Sequence, residues 1–146
     1  MLTIEASLEI DRPVEEVFAY VTDPGRMPEW VAGVKKASLD GPPRLGAKVV
    51  QTHAFLGRDT SVTAEITAFE RNRLVAFATR SPIAVSQTLR LHPLRKGGTQ
   101  LNARMEADFA VFRGAAEKIV AARAKREYER DLARLKDLLE RNAALT

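Results

Sequence analysis

The sequence contains no cysteine, which excludes disulfide bonds, thiolate nucleophiles and cysteine-based metal sites. Its only histidines are His53 and His92, too few for a histidine-rich zinc or iron centre, so we predict no metal and no other cofactor. No apolar run approaches the roughly 20 residues that span a membrane. The first five residues include the acid Glu5, whereas a secretory signal would carry basic and then apolar residues there. We therefore expect a cytoplasmic protein with no integral membrane segment.

Neither sign of charge dominates the 146 residues, which include 23 Lys and Arg, 19 Asp and Glu, and carry a net charge of +4. This length and composition fit one globular domain over residues 1–146. Basic residues crowd the C-terminal part, but acids such as Glu117, Glu127 and Asp137 interrupt them. Because nucleic-acid-binding proteins concentrate basic charge among aromatic residues, we predict a solvated helix face and no nucleic-acid partner. Attraction of an anionic ligand or surface is the alternative.

Hydrophobic alternation with a period of two predicts strands along most of the chain. The alternation is strictest from Leu2 to Ile10. After this strand, Asp11 can cap a helix whose first turn includes Pro13, and a second short helix is predicted over 26–31. Six further strands are predicted at 34–39, 47–55, 60–69, 74–80, 85–91 and 101–109. Short connections such as Lys96-Gly97-Gly98 predict hairpins, and hence an antiparallel sheet of about seven strands.

Residues 114–142 lack proline and are rich in strong helix formers, which predicts a long helix of about 28 residues. Its apolar stripe consists of Ala121, Ala124, Tyr128, Leu132, Leu135 and Leu139. A helix with one apolar side should lie across the sheet. The first half of the stripe is made of small residues, which either leave space between the helix and the sheet or allow the two to pack closely.

Several local sequences carry a resemblance to a known family. They are Ile10-Asp11-Arg12-Pro13-Val14-Glu15-Glu16-Val17-Phe18, residues 23–30 with Trp30 at their end, Arg44-Leu45-Gly46-Ala47, Gly98-Thr99-Gln100-Leu101, and residues 131–140. With the element order, they resemble the helix-grip superfamily (START-like or SRPBCC), in particular its polyketide cyclase/dehydrase and lipid-transport branch. The resemblance covers nearly the whole chain. It implies an α+β fold in which a curved antiparallel sheet wraps around a long C-terminal helix and encloses a hydrophobic cavity.

The strand faces that point toward the helix nominate the residues around this cavity. Gln87 shares an apolar face with Leu89. Neither face of the strand at 47–55 is cleanly polar, and Gln51 and His53 join Gln87 in the cavity if their face, which they share with Phe55, points inward. The candidate ligand-binding residues are Trp30, Gln51, His53, Phe55, Gln87, Leu89, Leu101, Met105 and Tyr128. Isolated polar groups in an apolar pocket orient a carbonyl or hydroxyl group of the ligand. The alternative is that the three polar strand residues lie partly exposed near the mouth or edge of the sheet.

Two residues are candidates for acid–base catalysis, His53 and Tyr128. A catalytic histidine needs a partner that fixes its ring. Gln51, on the same face two residues away, could do this, although neighbouring side chains on one strand face usually run parallel and do not bond. His92 falls on the polar side of its strand and is predicted to be exposed. Trp30 either walls the cavity or pins the short helix to the sheet.

The predicted function is binding of a small or medium apolar ligand, such as a lipid or polyketide, by burial of its surface. Two alternatives stay open. One is a polyketide aromatase/cyclase, a type of enzyme found in the family that this chain resembles. The other is a docking module for a protein or a membrane, which would use the basic helix. We expect a monomer or a homodimer.

Overall fold

Seven strands and three α-helices form the part of the chain that the computed structural model describes. This part comprises residues 2–55, 57–81, 83–108 and 114–144, without the side chains of Phe55, Ala115 and residues 142–144. The strands are β1 (Leu2–Ile10), β2 (Val34–Leu39), β3 (Lys48–Phe55), β4 (Arg58–Glu70), β5 (Leu74–Thr79), β6 (Val85–Pro93) and β7 (Thr99–Ala107). The helices are α1 (Val14–Val21), α2 (Met27–Trp30) and α3 (Ala115–Ala144). Phe109, predicted to end the last strand, lies outside the described residues.

The strands form one antiparallel sheet in the order β1-β7-β6-β5-β4-β3-β2. All neighbours in this order except β1 and β7 are consecutive in the chain, as expected for hairpin connections. The register shifts between Val34 and Lys36 and between Ile66 and Ala68. Such irregularities bend a strand and increase its twist. The predicted seven-stranded α+β fold with two short helices after the first strand is confirmed.

The boundaries around the first helix differ from the prediction. Pro13 occupies the cap position of α1 with extended backbone and no side-chain cap. Asp11 does not cap this helix, because it lies two residues before the cap position. Its backbone N–H donates to the Glu140 carboxylate of α3 at 2.9 Å. The side chain of Asp23 accepts from the Gly25 N–H and caps a short 3₁₀ turn before α2.

The connection between the strands predicted at 47–55 and 60–69 is shorter than expected. Arg58 already pairs with Phe55 across the hairpin of β3 and β4. Gly57 has a φ of 77°, a conformation that glycine adopts without the steric cost a side chain would add. The strand alternation therefore extends closer to the turn than its polar composition suggested.

The hydrophobic core lies between the sheet and the second half of α3. Tyr128, Leu132, Leu135 and Leu139 are buried in one cluster with sheet residues such as Leu101. No helix among the described residues is both long and apolar enough to cross a membrane.

The first half of α3 is more exposed than its second half. Ala121 and Ala124 of the apolar stripe are partly buried, whereas Ala116 and Ala122 are exposed and Ile119 is 69% exposed. The 30 residues of α3 make a rod about 45 Å long, and only the half from Tyr128 onward is buried. The leucine-rich half therefore supplies the helix–sheet packing, and the alanine-rich half lies largely in solvent.

Candidate ligand-binding cavity

A cavity of about 280 Å³ lies between the sheet, α2 and the middle of α3. This is about twice the roughly 150 Å³ of an apolar cavity that holds benzene. Most of its wall is aliphatic or aromatic, including Val62 and Ala64 of β4 and Phe77 of β5. Phe77 and Met105 are only partly buried, although both belong to the inner face of the sheet. Apolar side chains left incompletely covered around an internal space are typical of a ligand pocket.

The cavity occupies one end of the inner sheet surface, and the solid core occupies the other. Strand β6 shows the division, because Gln87 lines the cavity while Leu89, on the same face, is fully buried in the core. Leu101 of β7 is also fully buried in the core. Contrary to the prediction, Leu89 and Leu101 are not among the described residues that line the cavity, because both side chains are fully buried at the end of the sheet that the solid core occupies.

The structure brings six of the nominated residues together around the cavity: Trp30, Gln51, His53, Gln87, Met105 and Tyr128. The face of β3 that carries Gln51 and His53 therefore points inward. The side chain of Phe55, nominated on the same face, lies outside the described residues. His92 is exposed, as its polar neighbours on β6 indicated.

One polar pair joins β6 to α3. The side-chain nitrogen Nε2 of Gln87 donates a hydrogen bond to the phenolic oxygen Oη of Tyr128 at 3.0 Å. Phe77 and Met105 flank Gln87 on the two neighbouring strands, so this bond forms in an apolar setting. Burial, opposed by the Gln87 bond, raises the pKa of Tyr128 to about 12. Tyr128 is therefore a neutral hydroxyl at physiological pH.

A second polar group connects α2 to β3. The Nε2 atom of Gln51 donates to the Met27 sulfur at 3.4 Å, and its Oε1 lies 2.7 Å from Nε2 of His53. Since Oε1 can only accept, His53 carries its proton on Nε2 and keeps a lone pair on Nδ1. Burial lowers the pKa of His53 below its ordinary value, so the ring is neutral at pH 7.

Gln51 and His53 bond, although neighbouring side chains on one strand face usually do not. Parallel side chains on one strand face are the rule for short residues, but these two are long enough to converge at their polar ends. The register shift between Val34 and Lys36 lies in the neighbouring strand, directly opposite this pair. His53 thus has the orienting partner that the sequence did not predict.

Trp30 both walls the cavity and anchors α2. Its side chain is buried in the main core, and its indole Nε1 has no hydrogen-bond partner among the described residues. An unpaired buried donor costs about 1–3 kcal/mol, which the packing of a ring this large outweighs. Both roles predicted as alternatives for Trp30 are therefore present.

Asp131 is the one charged side chain among the described residues that line the cavity. Its Oδ1 accepts from the Ala32 backbone N–H at 3.2 Å and from Nη1 of Arg134 at 3.1 Å. The same Arg134 nitrogen donates to the Trp30 carbonyl oxygen at 2.8 Å. These contacts clamp the segment after α2 to α3, and burial raises the pKa of Asp131 above its ordinary value.

Sequence reasoning did not nominate Asp131. Its position three residues after Tyr128 places it on the same side of α3, which was the available signal. The described residues bring together no group of three His, Cys, Asp or Glu side chains that could hold a metal ion. The absence of a metal and of any cofactor stays a prediction.

The fold has many structural relatives. A protein of Nitrosomonas europaea matches with a TM-score of 0.76 and 16% identity, over 97% of this chain and 96% of the other. The Aha1 dimer of Colwellia psychrerythraea matches with a TM-score of 0.69 and 15% identity, over 96% and 97%. The di-domain ARO/CYC BexL of the BE-7585A biosynthetic pathway matches with a TM-score of 0.74 and 14% identity, over 94% of this chain and 46% of BexL. At these identities, the likeness shows the fold alone.

Comparison with curated protein sequences gives no match. A family model described as polyketide cyclase / dehydrase and lipid transport matches residues 1–140. The matched region contains every strand and nearly all of α3, including the residues of the cavity wall. The chain is therefore a helix-grip ligand-binding domain that belongs to the polyketide cyclase / dehydrase and lipid transport family.

Proposed function

We propose that this protein binds one small, predominantly apolar ligand in the cavity between the sheet and α3. The observation that carries the proposal is the 280 Å³ cavity itself, whose wall is mainly aliphatic and aromatic. Burial of apolar surface contributes about 25 cal/mol per Å², which makes such a cavity a favourable environment for a hydrophobic molecule. The two polar groups, Gln87 with Tyr128 and Gln51 with His53, orient the bound molecule.

The size of the cavity restricts the ligand class. A volume about twice that of a benzene-sized cavity fits a two-ring aromatic compound or a short branched chain. A long acyl chain or a fully extended polyketide would extend through the mouth. We therefore favour a compact apolar metabolite over a diacyl lipid.

Filling the cavity tests this proposal. Ala64 is 2% exposed and lines the cavity, so Ala64→Leu places a larger side chain inside it. Ala54 is exposed on β3, which makes Ala54→Leu a matched control. A naphthalene-based, environment-sensitive dye should bind the wild type and Ala54→Leu with one-to-one stoichiometry and bind Ala64→Leu at least about tenfold more weakly. Equal affinity in all three proteins would contradict binding in this cavity.

The bond between Gln51 and His53 favours a second candidate function, that of a polyketide cyclase. An aldol closure removes a proton from carbon and delivers a proton to the carbonyl oxygen. His53 Nδ1 is the candidate base, with Gln51 fixing its ring, and the Tyr128 hydroxyl is the candidate donor. BexL, a structural neighbour, is described as a di-domain ARO/CYC protein. Its similarity to this chain is one of fold.

Turnover distinguishes the two functions. Under the binding proposal, the wild type converts no poly-ketone substrate mimic, and His53→Ala keeps the dye affinity within about tenfold. Turnover by the wild type that is lost in His53→Ala would make the protein a cyclase. Turnover that survives in His53→Ala and is lost in Tyr128→Phe would assign the chemistry to the tyrosine.

Docking through the basic face of α3 and the oligomeric state stay predictions. The exposed first half of the helix carries Lys118 and Arg123, but Arg123 pairs with Glu127 at 3.1 Å. One structural neighbour is described as a dimer. We propose a monomer or homodimer, which light scattering after size-exclusion chromatography distinguishes.

A further inference from the structure

The hydroxyl proton of Tyr128 has no acceptor among the described residues. A tyrosine hydroxyl both donates and accepts. Its oxygen already accepts from Gln87, whose amide nitrogen cannot take the proton in return. Tyr128 is 6% exposed and lines the cavity. The proton is therefore available to an acceptor inside the cavity.

The charge of the cavity wall is one-sided. Asp131 is negative, and no lysine or arginine lines the cavity among the described residues. Arg134, the ion-pair partner of Asp131, lies outside the lining and is occupied by Asp131 and by the Trp30 carbonyl. A carboxylate ligand would lose its hydration without gaining a cationic partner, and it would face a like charge.

We propose that the cavity selects a neutral ligand with a carbonyl-type acceptor, which accepts the Tyr128 O–H, and rejects carboxylates. This inference rests on the proposed binding function and deepens it. The ligand class is thus a compact apolar ketone, quinone, ester or amide, and not a free fatty acid. An apolar skeleton fills the space beside Val62 and Phe77, and the acceptor lies toward α3.

A matched set of naphthalenes tests the selection. The three probes are 2-acetylnaphthalene, 2-ethylnaphthalene and 2-naphthoate, which share a skeleton and differ in the acceptor and the charge. Trp30 is the single tryptophan of the chain and lines the cavity, so its fluorescence reports binding of each probe. The wild type should bind 2-acetylnaphthalene about 3- to 10-fold more tightly than 2-ethylnaphthalene, the range expected for one net hydrogen bond. It should bind 2-naphthoate more than about 100-fold more weakly than the ketone at pH 7.

Tyr128→Phe should abolish the preference for the ketone over the hydrocarbon. The chain has only one other tyrosine, Tyr20, whose hydroxyl donates to Glu29 at 3.0 Å and which does not line the cavity. Tyr20→Phe is therefore the control, and it should keep the preference. A preference that persists in Tyr128→Phe, or that is absent from the wild type, overturns the proposal.

Asp131→Asn tests the rejection of anions, since the amide still accepts from the Ala32 N–H but carries no charge. It should strengthen 2-naphthoate binding at least about threefold. Asp137→Asn is the control, because it removes an exposed acid of α3 that pairs with Arg141. It should change the affinity for 2-naphthoate little. Tight 2-naphthoate binding by the wild type overturns the proposal.

If 2-ethylnaphthalene binds as tightly as the ketone, the proposed selection for a carbonyl group is wrong, but the proposed binding function stands. If none of the three probes binds, both fail.

Discussion

The amide of Gln87 donates a hydrogen bond to the hydroxyl of Tyr128 across 41 residues of sequence, at 3.0 Å. This bond crosses the cavity side of the helix–sheet interface, where the packing is not continuous. It ties the tyrosine to β6, where the partly buried Phe77 and Met105 flank Gln87 on the neighbouring strands. The position and the hydrogen-bonding capacity of Tyr128 therefore depend on Gln87, whereas burial keeps its hydroxyl protonated.

Alkaline pH should destabilise the protein through Tyr128. Its pKa is raised to about 12 in the folded state, against about 10 when unfolded, so the folded state holds the proton more tightly. This stability is complete below about pH 10 and is lost as the pH rises toward 12, by up to about 2 kcal/mol. Chemical denaturation of the wild type and Tyr128→Phe across this range should show a shallower loss in the variant. If the unfolding free energies of the two proteins fell in parallel with pH, the loss could not be assigned to Tyr128.

Acidic pH should destabilise the protein through His53. Burial lowers the pKa of His53 in the folded state, so the unfolded state binds the proton more readily. The corresponding stability is present above about pH 6.5 and is lost as the pH falls. NMR titration should give the His53 imidazole a pKa below the ordinary value for histidine. Its signal is identified by its absence from the spectrum of His53→Gln. The variant should also lose less unfolding free energy than the wild type on acidification, and an equal loss in both would contradict the prediction.

Arg134→Ala should loosen the segment after α2. It removes the bond to the Trp30 carbonyl and the ion pair with Asp131, a contact in which the Asp131 side chain is only 14% exposed. We expect a loss of about 1–2 kcal/mol in the free energy of unfolding, measured by urea denaturation. Arg123→Ala is the control, because its ion pair with Glu127 lies on the surface and should contribute less than about 0.5 kcal/mol. Equal effects of the two substitutions would argue against the clamp.

Gly98→Ala should destabilise the hairpin of β6 and β7. A Cβ at this position would lie 2.9 Å from the backbone oxygen of Ile10, which cannot move as a flexible side chain would. We expect a cost of about 1–3 kcal/mol. Gly33→Ala is the comparison, because its Cβ would meet nothing nearer than Nδ1 of His53 at 3.8 Å. Thermal unfolding should show a lowered midpoint for Gly98→Ala alone.

Much of the fold could be predicted because alternation and turn residues are local signals. Leu2 to Ile10 alternates as a strand does, and every hairpin carries its own glycine or polar turn. The inward position of Gln87 could be predicted in the same way, because its apolar neighbours share its face. These features depend on residues close together in sequence.

The exact site could not be predicted, because it depends on where α3 lies. Leu89 and Gln87 share one strand face, and only the position of the helix leucines places one in the core and the other at the cavity. In the sequence, Asp131 does not differ from the other acids of a charged helix. Only the tertiary structure shows that it accepts a hydrogen bond from the Ala32 N–H. The bond between Gln51 and His53 depends on side-chain rotamers, which the strand period does not specify.

The pairing of β1 with β7 has a consequence for how the chain folds. Ile4 lies opposite Met105, so the first strand has no sheet neighbour until β7 (Thr99–Ala107) has been synthesised. Closing such a long loop carries a large entropic cost, and native pairings distant in sequence slow folding. Meanwhile β2 to β7 can assemble through consecutive hairpins. We therefore expect β1 to dock late, together with α3, whose Lys136 and Glu140 bind the backbone at its end.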